Sequence, residues 1–115
     1  MSLIKKNKDR IVNFEFNKEY IKVITEKISS SDASFINNSF KEMHPADAAD
    51  IIEHLSQDDR EKLIKLTNFK IDPSIFIELN EAIQTEITKY LSNESILFIL
   101  KNLDSDDAIK ILENL

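Results

Sequence analysis

HPADAADIIEHL (residues 44–55), SQDDREKLIKLT (56–67), NFKIDPSIFIEL (68–79), NEAIQTEITKYL (80–91), SNESILFILKNL (92–103) and DSDDAIKILENL (104–115) follow one another without a gap. Aligned as units of twelve, their eighth residue is always aliphatic: Ile51, Leu63, Ile75, Ile87, Ile99 and Ile111. The ninth is Ile52, Ile64, Phe76, Thr88, Leu100 and Leu112, and the twelfth is Leu55, Thr67, Leu79, Leu91, Leu103 and Leu115. Positions eight, nine and twelve are spaced i, i+1 and i+4, so they share one face of an α-helix. The first position holds His44, Ser56, Asn68, Asn80, Ser92 and Asp104. Five of these six are favoured N-cap residues, whose side chains accept a hydrogen bond from an orphan amide of the first turn. Ser56 with Asp59, and Asp104 with Asp107, resemble acidic capping boxes. Pro45 and Pro73 suit a first helical turn behind His44 and Asp72, and Asp72-Pro73 predicts a late helix start in the third unit. Each unit therefore reads as a helix of about eight or nine residues, roughly 13 Å long. A helix that short is unstable alone and must bury its stripe against neighbours, which is the logic of a solenoid.

Upstream of His44 the register weakens. Residues 32–43 read as a further unit, with Asp32 as cap and Phe35, Ile36, Phe40 and Met43 as stripe. Residues 17–28 form another amphipathic helix through Tyr20, Ile21, Val23, Ile24 and Ile28, with Asn17 as its cap and Ser29-Ser30-Ser31 as the connector. Residues 1–16 read as a mobile or partly helical arm, and 17–115 as one helical domain. The fold class is all-α, with about eight short helices.

Composition excludes several function classes. The 115-residue chain has no glycine and no cysteine. Without glycine there is no Walker-type phosphate loop, no GxGxxG dinucleotide turn and no GxSxG nucleophile elbow. Without cysteine there is no disulfide scaffold or thiolate zinc site. The longest apolar run, Ile96–Leu100, is five residues, against the roughly 20 that a membrane span requires. His44 and His54 lie ten residues apart with no HExxH spacing, so they read as surface or capping histidines. The serines fall at caps and turns without a histidine–acid constellation, which disfavours an enzyme.

The net charge of −6 is unevenly distributed. Residues 1–31 carry seven basic and four acidic side chains, whereas residues 32–115 carry eight basic and seventeen acidic ones, a net −9. Such a body repels nucleic-acid backbones and favours cations or basic partners. Its densest acidic group is Asp104, Asp106 and Asp107, at the start of the last helix. Aspartates there complement the helix dipole. They also offer the hard oxygen donors of a weak Mg²⁺ site, since Mg²⁺ keeps several waters and takes one or two protein carboxylates. Asp47, Asp50 and Glu53, like Asp58 and Asp59, read as solvated faces.

The segment from Met43 to Leu55, followed by five further units in register, resembles the cytosolic N-terminal domain of MgtE-type magnesium transporters. In that family a leucine-rich helix opens with HPAD and twelve-residue units follow. The resemblance extends over about residues 17–115. It implies a right-handed superhelix of short helices at the cytoplasmic side of the bacterial inner membrane. It also implies that paired CBS domains, a connecting helix and a homodimeric transmembrane pore belong to the same protein. The implied function is regulatory: Mg²⁺ bridges acidic residues of this domain and the CBS domains, and the pore shuts. Residue by residue, a family carboxylate at the third position of the last unit matches Asp106. A second, at the seventh position, falls on Lys110, and a third, in the third unit, falls on Ser74. The metal ligands expected from this are Asp106, with Asp107 and Asp104 beside it. The competing reading is a protein–protein interaction solenoid with no metal role, similar in kind to the middle region of the flagellar switch protein FliG. Ile111, Leu112 and Leu115 have no following helix to cover them, so they are expected to be exposed or buried in an intermolecular contact.

Overall fold

A computed structural model describes residues 14–68 and 70–114. Among them are eight helices and no strand: α1 (Phe14–Ser29), α2 (Ala33–Glu42), α3 (Pro45–His54), α4 (Gln57–Leu66), α5 (Pro73–Phe76), α6 (Glu81–Thr88), α7 (Asn93–Lys101) and α8 (Ser105–Glu113). The first thirteen residues of the expected arm and Leu115 lie outside the described residues. α1 begins three residues before Asn17, so Asn17 lies inside the helix and does not cap it.

The caps fall where the twelve-residue register places them. Ser56 Oγ accepts from the Asp59 amide at 3.1 Å, Asn80 Oδ1 from Ile83 at 2.9 Å and Ser92 Oγ from Ser95 at 3.1 Å. Asp32 Oδ1 does the same for Phe35 at 3.1 Å. His44 is a true cap: its Nδ1 accepts from the Ala46 amide at 3.1 Å, which requires the proton to sit on Nε2. The third unit departs from the pattern. Asn68 ends α4 with a positive φ of 61°, and the helix starts late at Pro73, capped by Asp72. α5 is then only four residues long, half the expected length.

Among the described residues, two turns need the left-handed region, and with no glycine in the chain Ser31 (φ 58°) and Asn68 supply it. After α1, the Asp32 amide donates to Lys27 O at 2.9 Å and the Ser31 amide to Ile28 O at 3.1 Å, the paired bonds of a Schellman motif with serine in the usual glycine position.

Packing follows from the period. α3 packs on α5, α5 on α7 and α4 on α6, so these helices meet the next but one, and α8 packs on α7. The result is a slab of 39 × 35 × 21 Å. α1 contacts α2, α3 and α4. The eighth-position residues form the spine of the core, none more than 5% exposed. Ile111 belongs to that spine, contrary to its expected exposure, because it packs toward α6 beside Gln84 and Thr88. Ninth-position residues grade outward instead: Ile52, Ile64 and Phe76 are buried, Thr88 and Leu100 are half-buried, and Leu112 is exposed.

Candidate functional site

The three aspartates singled out in sequence stand together at the start of α8. Asp104 is the N-cap residue with extended backbone (φ −62°, ψ 155°), yet its carboxylate makes no capping hydrogen bond, so the expected Asp104–Asp107 capping box is not formed. Asp106 and Asp107 occupy the first turn. Asp104 and Asp106 are exposed and Asp107 is half-buried. Among the described residues no three His, Asp or Glu side chains converge as a group able to hold a metal ion. The aspartates therefore form an acidic edge and not a closed cage. Lys110, one turn after Asp106, is also exposed. Ser74 is engaged elsewhere: its amide and its hydroxyl both donate to Asp72 Oδ1, at 2.8 and 2.6 Å, as part of the α5 cap.

Apart from Asp58, the other acidic positions are less solvated than the sequence implied. Asp47, in the first turn of α3, is buried. Glu53 reaches across to the next hairpin, where its Oε2 accepts from the Asn80 amide at 2.8 Å and supports the α6 cap. His54 is exposed, with Nδ1 2.7 Å from Asp50 O. Asp58 is exposed and Asp59 half-buried.

The strongest polar feature is one that the repeat pattern did not single out. Arg60 of α4 and Glu86 of α6 form a bidentate ion pair, Nε to Oε2 at 2.9 Å and Nη2 to Oε1 at 2.8 Å. Arg60 Nη1 also donates to Leu55 O at 2.6 Å and, more loosely, to the carbonyls of Glu53 and Ile52. One guanidinium thus closes the C-terminal end of α3 and ties α4 to α6. The Tyr90 hydroxyl donates to Glu86 Oε2 at 2.8 Å. The Arg60 hydrogen bonds hold the Glu86 carboxyl below its ordinary range despite the opposing effect of burial. Burial, and then the hydrogen bond to Glu86, push the Tyr90 phenol up. A signal was present in the sequence: opposite charges 26 residues apart, close to two repeats, on helices that the period makes neighbours.

Short helices stacked on a twelve-residue period, with their caps facing solvent and an acidic edge at the last unit, define a helical-repeat module. The family model of the MgtE intracellular N domain matches residues 43–115, the six-unit array plus Met43, and the chain belongs to that family. The match is shorter than the resemblance read over 17–115, and α1 and α2 lie outside it. Neither a curated protein nor a solved structure matches the chain. No helix among the described residues is long and apolar enough to cross a membrane.

Proposed function

We propose that this chain is the regulatory, non-catalytic Mg²⁺-sensing domain of an MgtE-type magnesium transporter, working on the cytoplasmic side of the membrane. The observation that carries the reading is the family match over 43–115. The exposed Asp106, at the one unit position where the family carboxylate is retained, supports it.

The donor set fits Mg²⁺ in part. Carboxylate oxygens are the hard ligands this ion takes, and one or two from a protein are usual. The start of a helix carries a partial positive charge, however, which opposes a cation in the first turn. Asp106, with Asp107 and Asp104 beside it, therefore holds Mg²⁺ weakly until a second acidic surface contributes oxygens. In this reading that surface belongs to the CBS domains of the same protein. At low Mg²⁺ the body of net −9 and its acidic partner repel each other. Bridging ions remove that cost, the domains close, and the homodimeric pore shuts. The coupling is reciprocal, so closure tightens Mg²⁺ binding by the same factor.

Titration of this chain with Mg²⁺, followed by amide NMR shifts, tests the reading. Saturation at millimolar or higher concentration is expected around residues 104–110, weakened by Asp106→Asn. If amide signals there stay unmoved at tens of millimolar Mg²⁺, direct sensing by this domain is wrong.

A further inference from the structure

Among the described residues five large apolar side chains are exposed, and four of them, Leu97, Phe98, Ile109 and Leu112, lie on α7 and α8, which pack on each other. Leu97 and Ile109 hold the same place, the sixth, in their units. In the four earlier units that place is filled by Ala49, Glu61, Pro73 and Thr85. A large aliphatic residue thus enters the sixth position only in the last two units, where it is 55% and 53% exposed. On each helix it stands one turn, i to i+3, from the ninth-position leucine: Leu97 with Leu100, and Ile109 with Leu112. Aliphatic rows of this spacing on neighbouring helices are a counter-surface for a third amphipathic helix, ridge into groove.

The rows are edged by carboxylates. Asp106 precedes Ile109 by three residues and Glu113 follows it by four, so both flank it on α8, and Glu94 stands three before Leu97 on α7; all three are exposed. Residues 92–115 carry five acidic side chains against two lysines, Lys101 and Lys110, a net −3. That sign selects among occupants. An anionic membrane surface is repelled. An isologous dimer would set this net −3 patch against itself. A helix with an aliphatic stripe between rows of lysine or arginine matches the face in both apolarity and charge.

We propose that the exposed face of α7 and α8 docks a basic amphipathic helix of a partner protein, its apolar stripe on Leu97, Ile109 and Leu112 and its cations toward Glu94, Asp106 and Glu113. The contact needs no metal ion, so it stands or falls separately from the Mg²⁺ reading. The probe is a short, acetylated and amidated peptide of leucine and lysine set on a period of about 3.6 residues, titrated in metal-free buffer into the isotope-labelled chain. Saturable shifts are expected for the amides of residues 97–100 and 109–113. Two twins serve as controls, one with glutamate for every lysine and one with serine for every leucine. Each should bind about tenfold or more weaker, because it lacks either the charge match or the apolar stripe. Ile109→Ser/Leu112→Ser, at two exposed positions and so expected to keep the wild-type spectrum, should bind the probe about fivefold or more weaker. Glu113→Lys, which spares Asp106, should weaken binding about twofold or more. The proposal is overturned if shifts are absent or centre elsewhere, if either twin binds as tightly as the probe, or if either variant binds the probe unchanged. Movement of the same amides on concentrating the free chain, or on adding vesicles of anionic lipid, equally overturns it and gives the face to a second copy or to a membrane.

Discussion

Replacing Glu86 with alanine leaves the Arg60 guanidinium, on a side chain only 10% exposed, without its carboxylate. Two charge-assisted hydrogen bonds are lost, at about 1.5–3 kcal/mol each. Arg60 keeps Leu55 O at 2.6 Å and two longer carbonyl contacts, so its charge is not wholly stranded. The expected cost is therefore about 3 kcal/mol, the lower end of what breaking a buried pair costs. Against a total stability of about 5–15 kcal/mol that is a severe loss, and it corresponds to a fall in Tm of roughly 12 °C for a domain of this size. Urea unfolding followed by far-UV circular dichroism measures it. Arg60→Met and the double variant Arg60→Met/Glu86→Ala complete a thermodynamic cycle. The double variant should be less destabilised than the sum of the singles by about 1–3 kcal/mol. A loss below about 1 kcal/mol for Glu86→Ala, or strict additivity in the cycle, would refute the role assigned to the pair.

Other consequences are testable by the same methods. Stability should fall on acidification partly through Glu86. Its native pKa lies below the ordinary 4.5, so the native state binds fewer protons than the unfolded chain there, and the contribution is complete at neutral pH and fades as pH drops through the lowered value. Glu86→Gln should lack that share of the acid dependence. At the alkaline end the sign reverses. The Tyr90 pKa is raised above 10.0, so its contribution is complete below that pH and is lost as pH rises through the raised value, and Tyr90→Phe should flatten this limb of the stability curve. Ser31→Gly, which relieves a left-handed serine in the Schellman turn, should stabilise the fold by about 1 kcal/mol, and an unchanged or lower urea midpoint would contradict that. Lys110→Glu places a second carboxylate one turn from Asp106 and should tighten Mg²⁺ binding severalfold in the NMR titration; unchanged affinity would place the ion elsewhere.

Much of the site and fold is legible from side-chain chemistry one unit at a time. Asp32, Ser56, Asp72, Asn80 and Ser92 announce helix starts because a short acceptor followed by an amphipathic stripe has few other uses, and all five cap as expected. Asp104 is the exception: it ends the preceding turn but leaves its carboxylate free of the cap. Asn68 sits in the cap register yet serves as the left-handed terminator of α4, because a polar residue that tolerates positive φ suits either role. Asn17 lies inside α1, which continues upstream to Phe14, because an amphipathic pattern locates the buried face of a helix better than it locates the end.

The amino-acid sequence by itself determined the twelve-residue period, the helix starts and the spine from Ile51 to Ile111, all of which arise from interactions within a unit or at its single buried position. Only the tertiary structure decided which charges are solvated. Asp47 is buried in the first turn of α3, Arg60 and Glu86 meet because α4 and α6 are neighbours, and Lys41 and Lys70 line one groove although they are 29 residues apart. The reason is physical: hydrophobic periodicity fixes which face of each helix turns inward, whereas the partner of a polar side chain depends on which helix arrives opposite it, a relation that no single unit encodes.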